Sequence, residues 1–149
     1  MNKTIIANKG ISNQGKSSSI KNVAKEILEQ FPTAISSQNP INYEEDINVI
    51  ITIDNIKIGI ESQGDPNSRI FTSLPGFAKK GCDIILCASR SNGETVNVIE
   101  RTKSTYDYNL IWVTNPRSSA VDSHEFLNSL FTNQVIDIIK TFINIEHGK

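Results

Sequence analysis

Thr4-Ile5-Ile6-Ala7-Asn8-Lys9-Gly10-Ile11-Ser12-Asn13-Gln14-Gly15-Lys16-Ser17 is the stretch on which the reading of this chain turns. Thr4 to Asn8 are apolar and β-branched and run into the loop Lys9 to Gly15, the pattern of a buried strand. From Lys16 to Phe31, the residues Ile20, Val23, Ala24, Ile27, Leu28 and Phe31 recur at steps of three and four. That spacing is one face of a helix, which Pro32 ends. Between the two, Gly10 to Ser17 match G-x-x-x-x-G-K-[ST] without a mismatch, in the strand-loop-helix setting the pattern requires. The spacing has a chemical reason. Gly10 and Gly15 let the backbone N–H groups of the loop, including those of Ser12, Asn13 and Gln14, wrap phosphate oxygens. Lys16 supplies a point charge to the β and γ phosphates, Ser17 offers a hydroxyl to Mg²⁺, and Ser18 lies by the α-phosphate.

Outward from this stretch the chain alternates strands and helices. Thr33 to Ser37 reads as a short strand and Gln38 to Asp46 as a polar loop. Ile47 to Ile53 and Ile56 to Ile60 are isoleucine-rich runs separated by Asp54-Asn55, which predicts an antiparallel hairpin. Ile70 to Lys80 reads as a helix broken at Pro75-Gly76, Cys82 to Ala88 as a buried strand, and Glu94 to Tyr106 as an amphipathic helix. Leu110 to Thr114 reads as a further strand, central in the sheet and carrying Trp112 into the core. The last helix is expected from about Ser123 to Ile145, with an interruption at Asn133 or Gln134. Such alternation predicts an α/β fold in three layers: a mostly parallel sheet with one antiparallel hairpin strand and helices on both faces. In such sheets ligands bind beyond the carboxyl ends of the strands, so the loops Lys9 to Gly15, Glu61 to Pro66, Ser89 to Gly93 and Asn115 to Ser118 should converge.

Composition narrows the function. The 149 residues, 1–149, fit one domain with one core. Fifteen Lys and Arg against 16 Asp and Glu leave a net charge of -1, no field to steer the chain toward nucleic acid or an anionic membrane. No apolar run approaches the roughly 18 residues of a membrane span, and Met1 to Lys9 lack the signature of a signal peptide. A soluble, cytoplasmic protein is the expectation. Cys82 and Cys87 are too few for a disulfide framework or a four-ligand zinc site and read as reduced core thiols. His124 and His147 have no metal-ligand spacing, and Ser17-Ser18-Ser19 lacks the surroundings of a nucleophile.

A triphosphate site also needs a carboxylate at the end of a neighbouring strand to hold Mg²⁺ or its waters. Glu61, directly after Ile56 to Ile60, is the first candidate and Asp65 the alternative. Glu61-Ser62-Gln63-Gly64 would place a carboxylate near the metal and the Gly64 N–H near the γ-phosphate, with Glu61, Gln63 or Asp65 orienting water. The alternative reading is an ordinary polar turn. Arg90, after a strand end and beside the ordinary turn residues Asn92-Gly93, is a candidate for contact with phosphate, base or a second substrate, and Arg117 for contact with base or ribose. Arg69 reads as a solvated residue at a helix start, with stabilisation of the transferring phosphoryl group in cis as the alternative.

Over about the first half of the chain, the Gly10 to Ser17 motif resembles that of the P-loop NTPase superfamily. The order strand, motif, helix, hairpin, then acid-x-x-Gly at Glu61 to Gly64 is similar to its small GTPase-like branch. That resemblance implies a P-loop NTPase fold and a nucleotide-sensing segment around Ser62 to Ser73, through which residues 61–73 would meet a protein partner. Two departures stand out. Glu61 replaces the usual Asp, and Ser89-Arg90-Ser91-Asn92 stands where that branch reads guanine with [NT]-K-x-D. Thr102-Lys103 lies inside an expected helix and continues as Ser104-Thr105. ATP is therefore favoured over GTP. The expectation is a Mg²⁺-dependent NTPase acting as a switch. The alternatives are a small-molecule or nucleotide kinase and a nucleotide-binding module active only with a partner.

Overall fold

β1 (Thr4–Lys9) is buried from Thr4 to Asn8 and leads toward α1 (Lys16–Gln30), whose inward face is Ile20, Val23, Ala24 and Ile27. β2 (Ile35–Ser36) precedes the hairpin of β3 (Asn48–Ile53) and β4 (Ile56–Glu61). α2 (Ile70–Lys79), β5 (Ile84–Ser89), α3 (Glu94–Tyr106), β6 (Asn109–Thr114) and α4 (His124–His147) follow. The computed structural model describes residues 2–9, 16–64, 69–90, 92–114 and 124–147, with the backbone alone for residues 16, 124, 125, 146 and 147.

The six strands form one mixed sheet in the order β2-β3-β4-β5-β1-β6. β4, β5, β1 and β6 run parallel, while β3 runs antiparallel to both β4 and β2. Successive residues of a strand point to opposite faces, and β1 displays it. Ile6 joins a core shared with Ile20 and Ile27 of α1 and Phe131, Ile139 and Phe142 of α4. Ile5 and Ala7 join a second core with Leu74 and Phe77 of α2 and Val98 and Ile99 of α3. Two helices thus cover each face of the sheet, and the expected α/β class holds. At Gly59 the absent side chain makes room for the Phe77 ring, since a Cβ there would lie 2.6 Å from it.

Several local expectations change. Pro75 does not break α2. A proline at this position removes one hydrogen bond, that to the Phe71 carbonyl. The buried stripe Ile70, Ser73, Leu74, Phe77 and Ala78, at steps of three and four, outweighs that loss. α4 continues through Asn133 and Gln134, because both side chains face solvent while Phe131, Val135, Ile136 and Ile139 keep the apolar face continuous. β6 is an edge strand, not a central one, and Trp112 is only partly buried, with the Lys9 ammonium 5.3 Å from its ring centre. No described helix is long and apolar enough to cross a membrane.

Candidate functional site

The in-register parallel strands end at one edge of the sheet. Lys9 pairs with Ser89 on one side and Thr114 on the other, and Glu61 pairs with Cys87. The chain segments after β1, β4, β5 and β6 therefore all leave from this edge. α1, after β1, covers one face of the sheet, while α3, after β5, covers the other. The ends of β1 and β5 thus flank the topological switch point, the place where open α/β sheets hold ligands. Because β3 runs against β4, it begins where β4 ends, and the residues just before it arrive at the same edge.

Asp46 is one of them, and no sequence expectation included it. Ser17, the second residue of α1, donates from Oγ to Asp46 Oδ1 at 2.7 Å, and Ser62 Oγ donates to the same oxygen at 2.7 Å. The main chain fixes this arrangement, with Ile47 N–H donating to Ser62 Oγ at 2.8 Å and Ser62 N–H to the Ile47 carbonyl at 3.0 Å. Burial acts to raise the Asp46 pKa. The hydrogen bonds from Ser17 and Ser62 and the charges of Lys21 and Arg69 outweigh it and hold the carboxyl below its ordinary value.

Glu61 is fully buried and has other partners. Arg69 Nε donates to its two oxygens at 2.9 and 3.1 Å, Asn48 Nδ2 and Ser73 Oγ donate to Oε2 at 2.7 Å each, and the Gln63 N–H donates to Oε1 at 3.0 Å. These donors take the place of the water that burial withdraws from the carboxyl group. Arg69, at the start of α2, is thus a structural partner as well as a surface residue. Its Nη2 also donates to the Asp46 carbonyl at 2.9 Å, and its N–H donates to Gln63 Oε1 at 3.1 Å. Gly64 lies on the end of β5, where a Cβ would stand 2.5 Å from the Ala88 carbonyl oxygen.

The structure therefore brings Ser17, Glu61, Gln63 and Gly64 to one edge, joined through Asp46, Ser62 and Arg69. Arg90 follows β5 at the same edge, its N–H donating to Thr95 Oγ1 of α3 at 3.1 Å. Ser18 is exposed on α1. Lys16 is described as the first residue of α1, without its side chain. Gly10, Ser12, Asn13, Gln14, Gly15, Asp65 and Arg117 lie outside the described residues. A signal for Asp46 existed in the hairpin. A two-residue turn that pairs Ile53 with Ile56 pairs Asn48 with Glu61, which carries Asp46 to the neighbourhood of Ser62 and Gln63.

Compared with known proteins, the chain matches no family model, no curated protein and no solved structure.

Proposed function

We propose that this chain is a small P-loop NTPase that binds a magnesium nucleoside triphosphate, ATP in preference to GTP, and hydrolyses its γ-phosphate as a nucleotide-dependent switch. The observation that carries the reading is the position of the Gly10 to Ser17 motif. In sequence it lies between β1, whose end flanks the switch point of the sheet, and α1, which begins with its Lys16 and Ser17, and a helix N-terminus with its N–H groups favours an anion. Lys16 would set its charge against the β and γ phosphates. The metal expected with them is a hard cation that takes oxygen ligands. The residues present suit it: the Ser17 hydroxyl stands beside a second hydroxyl and a carboxylate, all oxygen donors. When bound, Mg²⁺ neutralises charge on the phosphate oxygens.

Glu61 and Gln63 have a supporting part in this reading. They tie the end of β4 to Arg69 at the start of α2, a link through which residues 61–73 would report nucleotide state to a protein partner.

The test is calorimetry of ATP and GTP, with and without Mg²⁺, on the wild type and Lys16→Ala. Mg-ATP should bind the wild type and lose at least tenfold in affinity in the variant, because the charge facing the phosphates is gone. Equal affinity for both proteins, or no nucleotide binding at all, would overturn the reading. Phosphate release measured against a panel of acceptors then separates hydrolysis from a kinase reaction.

A further inference from the structure

The segment before β3 is fastened along one side of α1. Ser17, Lys21 and Lys25 stand four residues apart and so form one row on the helix. Each holds a different point of the segment. Ser17 Oγ donates to Asp46 Oδ1 at 2.7 Å, Lys21 Nζ donates to the Tyr43 carbonyl at 3.1 Å, and the Lys25 ammonium lies 4.8 Å from the centre of the Tyr43 ring. From the other side Ser62 Oγ donates to the Asp46 carboxylate and Arg69 Nη2 to its carbonyl.

We propose that Asp46 is the protein carboxylate of a divalent-cation site built on Ser17, and that filling this site and fastening residues 43–46 onto α1 are one equilibrium. A serine hydroxyl has one proton and two lone pairs. In this structure the proton is directed to Asp46, which leaves lone pairs of the same oxygen for a cation. A cation on that oxygen polarises the O–H bond and strengthens its donation to the carboxylate, while the carboxylate attracts the cation or its waters. Binding therefore tightens the Ser17–Asp46 contact and the segment attached to it. By linkage, a fastened segment raises cation affinity by the same factor. Glu61 is less suited to the part, since it is fully buried and already accepts from Arg69, Asn48, Ser73 and the Gln63 N–H. The carboxylate comes from the residues before β3, the antiparallel strand, and not from the end of a parallel one.

This inference rests on the reading of Gly10 to Ser17 as a triphosphate site, and the experiment separates the two. ATP affinity is measured with EDTA and with MgCl2 for the wild type, Asp46→Asn and Lys25→Ala, and amide hydrogen exchange is followed at residues 43–47. In the wild type Mg²⁺ should tighten ATP binding and Mg-ATP should slow exchange in this segment. Asp46→Asn should lose about tenfold of the gain from Mg²⁺, measured as the ratio of its affinities with and without the metal, as outer-shell ligands of metals do, and show no slowing. Lys25→Ala, a change on the exposed side of the helix, should speed exchange at 43–47 and reduce the Mg²⁺ gain. A full Mg²⁺ gain in Asp46→Asn, or in Lys25→Ala despite faster exchange, overturns the inference and leaves the nucleotide reading standing. A wild type that binds no ATP under either condition overturns both.

Discussion

Glu61 and Asp46 are both carboxylates at one edge of the sheet, and their neighbours give them different work. Glu61 is enclosed and bonded to Arg69, whereas Asp46 is half-buried and lies against Ser17 at the start of the helix that follows the Gly-rich motif. Arg69→Met should lower stability by about 2 kcal/mol in urea unfolding, since it withdraws the cation from a buried carboxylate; the exposed part of Arg69 and the remaining donors keep the loss below that of a fully buried pair. Gly64→Ala should cost about 1–3 kcal/mol by the same measurement, because the new Cβ meets the main chain of Ala88. Asp46 also sets a pH dependence. Its carboxyl titrates below the ordinary value of 3.8, so its contribution to stability is present above that pH and is lost as the pH falls through the lowered value. The stability difference between the wild type and Asp46→Asn should therefore be full at pH 7 and close progressively below pH 4, as urea midpoints across that range would show. The identity of Asp46 was not legible from its own surroundings. Glu44, Glu45 and Asp46 are three successive acids in a polar loop, and nothing local separates them.

At the scale of elements, periodicity was readable where one apolar stripe meets one core. α3 runs over Glu94–Tyr106, the span that its apolar spacing predicts, and the hairpin turns at Asp54-Asn55 as its residue types demand, with Asp54 at φ 53°. The misreadings came from weighing one residue against a whole face. Pro75 costs α2 one hydrogen bond, and the five buried residues of its stripe outweigh it. Pro75→Ala should restore that bond and raise stability by about 1–2 kcal/mol, less than the full helix penalty of proline because the unfolded chain gains freedom. A rise in the thermal midpoint would confirm this, and a fall would show that the proline ring packs usefully. Asn133 and Gln134 likewise stand on the solvent side of α4, where polar residues belong.

For the whole molecule, burial on both faces of the sheet has a chemical consequence at the cysteines. Burial pushes the Cys82 thiol up to about 11, and the fully enclosed Cys87 is pushed higher, with Glu61 adding to the effect. Neither thiol should react with a disulfide reagent at pH 8 in the folded protein, and both should react after unfolding in urea. The alternation of elements, the class of fold and the Gly10 to Ser17 motif were set by the sequence alone, because hydrophobic period and glycine spacing are local properties of the chain. The order of the strands was not. β5 lies between β1 and β4, so the Glu61 strand stands two strand spacings, about 10 Å, from the strand that precedes the motif. Chain order carries no sign of that insertion, which packing decided by burying β5 completely between two cores. The pairing of Ser17 with Asp46 and of Glu61 with Arg69 follows from the same cause: strand direction and register bring together side chains 29 and 8 residues apart, and those are fixed only when both faces of the sheet are covered.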